Sequence, residues 1–249
     1  MKRTTLAAGA AAALALTLSA CSTLTGVISP ADARNKATDA AHHGRPVDCS
    51  KAKCVALTFD GGPSAPTPKL LDVLKKEKVH ATFFLQGKGH TEKYPQTIRR
   101  MAAEGHEIGN HTWSHKDLTK LDEKQIRAEI EPVQDDIEKA TGKTPRLMRP
   151  PHGTTNDDVS KVLKKFGLSQ ILWSVTAKDF ATTDTQLITK RVLDQTHRDG
   201  IILLHERYAG TIPAVPGIIK DLRKQGYTFV TVPQLMSPAT PQPGKVYRP

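Results

Sequence analysis

The stretch Val55-Ala56-Leu57-Thr58-Phe59-Asp60-Gly61-Gly62-Pro63 decides the fold. Its first five residues are apolar or β-branched, the pattern of a buried strand. Gly-Gly-Pro cannot continue that strand and forces a turn. A strand that breaks at a single carboxylate puts Asp60 at the rim of a sheet or barrel, where α/β enzymes hold their chemistry. Taken alone, Asp60 reads equally well as a turn cap. The other strand ends therefore decide its function.

Further short apolar runs mark candidate strands at 80–85, 106–109, 146–148, 170–175, 201–204 and 228–232. Amphipathic stretches between them mark helices at 66–77, 94–104, 122–141, 156–166, 185–198 and 212–225. Asn156 or Thr155 can cap the fourth helix, and Gly105, Gly142, Gly167 and Gly226 sit where helices stop. Strict alternation of this kind specifies a parallel α/β domain, and the strand count approaches that of a (β/α) barrel. No internal repeat is visible.

The 249 residues carry a formal charge of +11. Residues 1–20 hold Lys2, Arg3 and no acid, which leaves 34 basic against 25 acidic groups beyond them. That excess suits anionic wall polymers or membrane surfaces. It is spread along the chain without a basic block or an aromatic platform, which argues against a nucleic-acid partner. Residues 6–18 form an Ala- and Leu-rich run behind the two cations, ending Leu18-Ser19-Ala20-Cys21. This resembles a bacterial lipoprotein signal. It implies cleavage before Cys21, a lipid on that thiol, and a protein held to the outer face of the cell membrane; an ordinary secretory signal is the alternative. Export leaves Cys49 and Cys54 as an even pair in an oxidising compartment, which favours a disulfide over two free thiols. The expected organisation is a signal at 1–20, a flexible tether at 21–47, a folded α/β domain at 48–236 and a Pro-rich, irregular tail at 237–249.

Chemistry-bearing residues recur just past the strands. His111 and His115, in His-Thr-Trp-Ser-His, have the spacing of one helical face and can share a cation. Arg149 opens Arg-Pro-Pro-His-Gly, where two prolines stiffen the backbone beside a guanidinium able to grip a carboxylate. Asp179 follows the fifth candidate strand. His205 ends Ile201-Ile202-Leu203-Leu204-His205, as an acid/base group or a satisfied core imidazole. In a parallel sheet all these strand ends share one face, so the groups converge.

These five segments, in this order, resemble the polysaccharide deacetylase family, also called the NodB-homology domain or carbohydrate esterase family four. The likeness runs from about Cys54 to Leu235. It implies a distorted (β/α)₇ barrel and a metal-dependent hydrolase that removes N-acetyl groups from N-acetylglucosamine-containing polysaccharide, peptidoglycan or chitin oligomers. It further implies that His111 and His115 bind a divalent metal, usually zinc-like, and that Asp60 is the general base. Arg149 would hold Asp60 ionised and oriented, His205 would be the general acid, and Asp179 would orient His205. The metal and a backbone N–H near His152 would stabilise the oxyanion.

Three segments depart from the family pattern, at four positions. Gly61 replaces a second Asp that would be the third metal ligand. His152 replaces a Tyr and offers an extra ligand or a substrate contact. Phe180 replaces a Trp, and Thr176 an earlier Asp. Two alternatives accompany the deacetylase reading: a glycan-binding protein impaired by Gly61, and an ester deacetylase acting on xylan.

Overall fold

The computed structural model describes residues 26–37 and 47–249; the signal expected at 1–20 and Cys21 lie outside them. The strands are β1 (Val27–Ile28), β2 (Lys53–Gly62), β3 (Thr82–Leu85), β4 (Glu107–Asn110), β5 (Leu147–Met148), β6 (Ser169–Ile171), β7 (Val175–Thr176), β8 (Gly200–Leu204), β9 (Tyr227–Val230) and β10 (Val246–Tyr247). The α-helices are α1 (Pro30–Lys36), α2 (Thr67–Lys76), α3 (Pro95–Ala103), α4 (Glu123–Thr141), α5 (Asp157–Lys165), α6 (Thr185–Gln195), α7 (Thr211–Lys224) and α8 (Val232–Met236).

Strand β2 is the axis. Every residue from Cys54 to Gly62 is buried, and β2 pairs in parallel with β3, β8 and β9. Burial on both faces explains the unbroken apolar run. Sheet order is β1-β10-β6-β5-β4-β3-β2-β8-β7, with β9 beside β2. Strands β6 and β7 stand six positions apart in that order, yet residues 172–174 alone join them. Four peptide steps reach at most about 14 Å. The sheet must therefore curl until its β6 and β7 sides nearly meet, as the expected distorted barrel requires. It stays incomplete because β10 pairs with the free side of β6 and β1 adds outside β10.

The helices pack their apolar stripes onto this curl. Helix α2 buries Leu70, Leu71 and Leu74, and α7 buries Val215, Ile218, Ile219 and Leu222, the spacing of one helical face. Helix α4 begins with a capping box between Asp122 and Gln125 and stops at Gly142 in the left-handed region (φ +72°). Asn156 caps α5 by accepting from the Val159 N–H.

Four expectations change. The run at 170–175 is two strands, because the chain leaves the β6 side after Ile171 and rejoins the sheet beside β8. The strand expected at 228–232 ends at Val230, and Thr231 caps α8 instead. The stretch read as a tether contains β1 and α1. Arg34 of α1 is buried and forms a two-pronged ion pair with Asp199, with a further bond to the Leu235 carbonyl. The tail read as irregular supplies β10. Cys49 and Cys54 form a disulfide that pins the approach to β2.

His106, just ahead of β4, is buried against the Phe83 ring at 5.2 Å. Its Nδ1 accepts the Ala81 N–H, so its proton sits on Nε2. Burial, reinforced by neighbouring His80, pulls its pKa down to about 4. The folded state thus resists a proton that the unfolded chain takes up near pH 6.5. Stability is full above about pH 6.5 and falls as pH drops toward 4, by up to about 3 kcal/mol from this group. Urea unfolding between pH 7 and 4.5 should show a shallower decline for His106→Gln than for the parent protein.

Candidate active site

The carboxyl ends of β2, β4, β5, β7 and β8 bring Asp60, His111, His115, Arg149, Asp179 and His205 to one pole of the barrel. Asp60 is 2% exposed and Arg149 not at all. Arg149 Nη1 donates to Asp60 Oδ1 at 2.8 Å and to Thr58 Oγ1 at 2.7 Å, and Nε donates to the Ile171 carbonyl at 2.9 Å. Its guanidinium carbon lies 4.2 Å from the Phe84 ring centroid and 5.5 Å from that of Trp173. Burial pulls the guanidinium below its ordinary pKa, and Asp60 opposes the shift. One oxygen of Asp60 is thus spoken for. The other, Oδ2, faces His111 Nε2 at 3.8 Å.

His111 is fixed from behind. Its Nδ1 donates to the Arg149 carbonyl at 2.7 Å, which leaves the lone pair on Nε2. The His111 and His115 rings lie 4.9 Å apart, edge to face. They do not meet on a helix, as the spacing predicts. Thr112 (φ +68°) and His115 (φ +61°) are in the left-handed region, which folds the segment back on itself. Glu129 of α4 braces this turn. Its carboxylate accepts from the Ser114 N–H and hydroxyl, and its carbonyl accepts from the Trp113 N–H. Burial lowers the pKa of both imidazoles, that of His115 to about 4, with His111, His152 and Arg207 adding to the effect on His115. Both are therefore neutral at pH 7, the form that ligates metal.

The donor set of two neutral, converging imidazoles beside a carboxylate oxygen fits a divalent cation. The position expected for a third carboxylate is empty of side chain at Gly61. Among the described residues no three His, Cys, Asp or Glu form a ready cage. A third imidazole, His152, packs its ring edge-on to His115 at 4.9 Å. His152 is itself left-handed (φ +59°). The amides of Gly153 and Thr154 are committed to the carbonyls of Pro150 and Pro151. An oxyanion donor from this turn would therefore be the His152 N–H.

Across the cleft, His205 Nδ1 donates to Asp179 Oδ1 at 2.9 Å. Asp179 Oδ2 accepts from the His205 N–H and from Thr211 Oγ1, both at 2.7 Å. Asp179 is thus a saturated orienting group, and His205 Nε2 is left for the cleft. The Phe180 and Tyr208 rings stand edge-on to the His205 ring at 6.0 and 5.6 Å. Phe180 is 56% exposed, an apolar wall beside the imidazole.

Glu129, Glu206 and Arg207 were invisible to sequence reasoning. Glu206 is buried against Gly62 and accepts from Thr67 Oγ1. Burial lifts its pKa to about 7. Its only sequence signal is adjacency to His205.

The chain matches the family model "Polysaccharide deacetylase" over residues 48–171. It is 44% identical over 184 residues to the peptidoglycan-N-acetylmuramic acid deacetylase PdaC of Bacillus subtilis, covering 74% of this chain but 38% of that protein. It is 38% identical over 186 residues to a peptidoglycan-N-acetylglucosamine deacetylase of Bacillus cereus, covering 73% of this chain and 67% of that one. A solved structure described as "T48 deacetylase with substrate" superimposes with a TM-score of 0.77 at 40% identity, covering 81% of this chain and 99% of the other.

Removing Arg149 strands a buried carboxylate. Arg149→Met should cost about 3–5 kcal/mol in urea unfolding. The double variant Asp60→Asn/Arg149→Met should recover most of that loss, because no charge is then left unpaired.

Proposed function

The chain belongs to the polysaccharide deacetylase family, and from that premise we propose that it hydrolyses N-acetyl groups on the aminosugars of peptidoglycan. The supporting observation is two oriented groups at one pole of the barrel: Asp60, held by Arg149, and His205, held by Asp179.

His111 and His115, with His152 or water completing the set, would hold a divalent cation of zinc type. When bound, the cation supplies Lewis acidity to the acetamide oxygen and to a water. The protein's residues do the rest. Asp60 Oδ2 takes the proton of the attacking water, while the Arg149 pair keeps Oδ1 fixed and the carboxylate turned toward the imidazoles. Water adds to the acetamide carbon. His205 gives the proton on Nε2 to the sugar nitrogen as the carbon–nitrogen bond breaks, and Asp179 holds the imidazole in line for this step through Nδ1. Acetate and a free amine leave. Phe180 offers a sugar ring an apolar face beside His205. Residues ahead of the domain supply placement: a lipid on Cys21 would keep the enzyme at the outer membrane face, beside the wall.

Gly61 supports a second reading, a glycan-binding protein with impaired chemistry, because a ligand is absent where the family carries one. Acetate release from peptidoglycan fragments, chitin oligomers and acetylxylan, with zinc or cobalt added, separates the possibilities. The deacetylase reading requires acetate from the N-acetylated glycans, with losses of about 10²–10⁴-fold in kcat for Asp60→Asn and for His205→Ala. Binding without release under every metal supports the second reading, and release from acetylxylan alone moves the substrate to an ester.

A further inference from the structure

Gly61 does more than omit a carboxylate. A Cβ built on it would meet Arg207 Nη1 at 3.3 Å and Cζ at 3.4 Å. The Arg207 guanidinium therefore lies over the backbone of the residue directly after Asp60. Its other side rests on Tyr208, with the guanidinium carbon 5.3 Å from the ring centroid and Nη2 at 3.4 Å from the phenol oxygen. Tyr208 in turn packs against His205. One cation thus spans from the base side of the cleft to the acid side.

Arg207 is exposed, and no carboxylate among the described residues forms an ion pair with it. The two nearest acids are engaged elsewhere, Asp60 with Arg149 and Glu206 with Thr67. Most other arginines of the domain surface reach an acid or a carbonyl, as Arg100, Arg127, Arg198 and Arg223 do. Arg207 is held by stacking and aimed at the cleft with its charge unspent. A planar guanidinium held in this way presents paired N–H groups that match a carboxylate.

We propose that Arg207 forms a subsite for a carboxylate on the very sugar that loses its acetyl group. The preferred substrate is an N-acetylated hexosamine bearing an acid-carrying ether on the carbon next to the acetamide. The vicinal position follows from the placement of Arg207 over Gly61, next to Asp60, and against Tyr208, which packs on His205; in the deacetylase reading Asp60 and His205 flank the acetamide. The inference rests on the deacetylase reading for its turnover arm, and its binding arm is independent of turnover.

Three probes test it: a disaccharide containing N-acetylmuramic acid with its carboxylate free, the methyl ester of that disaccharide, and N,N′-diacetylchitobiose. The wild-type protein should favour the free acid over the ester and over the neutral disaccharide. Arg207→Met should reduce the acid-to-neutral ratio of kcat/KM about tenfold or more, chiefly through KM, and Arg207→Lys should lie between. Raised salt should erode the same ratio in the wild type. Equal treatment of acid and ester by the wild type, or an unchanged ratio in Arg207→Met, overturns the proposal. If the wild type releases acetate from none of the three, the deacetylase reading fails. Calorimetric titration with the same sugars then still decides the subsite: an acid preference that Arg207→Met abolishes supports it, and no preference overturns it.

Discussion

The buried ion pair between Arg149 and Asp60 is the constraint on which the rest of the site depends. Burying a guanidinium and a carboxylate together is expensive, and close hydrogen bonds offset that cost, although Arg149 Nη2 is buried without a partner among the described residues. Here one side chain reaches three: Thr58 and Asp60 of β2, and the carbonyl of Ile171 in β6. Its own carbonyl accepts the His111 ring nitrogen. Two aromatic faces, Phe84 and Trp173, complete its enclosure. A single residue therefore sets the direction of the proposed base, Asp60, and the tautomer of a proposed metal ligand, His111. Any shift of β5 relative to β2 would disturb both together.

The opposite wall is built on the same logic with weaker charges. Asp179 accepts three hydrogen bonds, from the His205 ring, the His205 amide and Thr211 at the start of α7. The His205 backbone N–H and the Thr211 hydroxyl hold the carboxylate in place, and the carboxylate in turn fixes the ring, so rotation out of line would break the Nδ1 bond. Glu129 does the equivalent for the His111–His115 turn by tying it to α4. Each functional side chain is thus locked by a residue from a different element, as a preorganised site requires.

Much of this was legible in the sequence because it is locally encoded. The apolar run of β2, the Gly and Asn helix ends, and the acid, imidazole and guanidinium at successive strand ends are all visible without coordinates. What escaped depends on distant partners. The stretch around α1 reads as linker because it is Ala-rich and polar, and its place comes from Arg34 reaching Asp199, 165 residues away. Strand β10 reads as a tail because two residues among prolines carry no periodicity; pairing with β6 alone makes them a strand. The apolar run 170–175 hides a crossing between the two sides of the barrel. The left-handed backbone at Thr112 is an outlier for a β-branched residue, and at His115 it is uncommon for any non-glycine, so the spacing suggested a helix where a braced turn does the work. Arg207 carries no motif at all, and its position is evident only over Gly61.

The strand polarity has one more effect. All strand pairs are parallel, β1 included, so the chain enters β1 at the pole opposite the cleft. Residues 21–26 could extend about 20 Å at most. A fatty anchor on Cys21 would grip the molecule by its back, and the opening would look away from the bilayer, into the mesh of glycan strands above it.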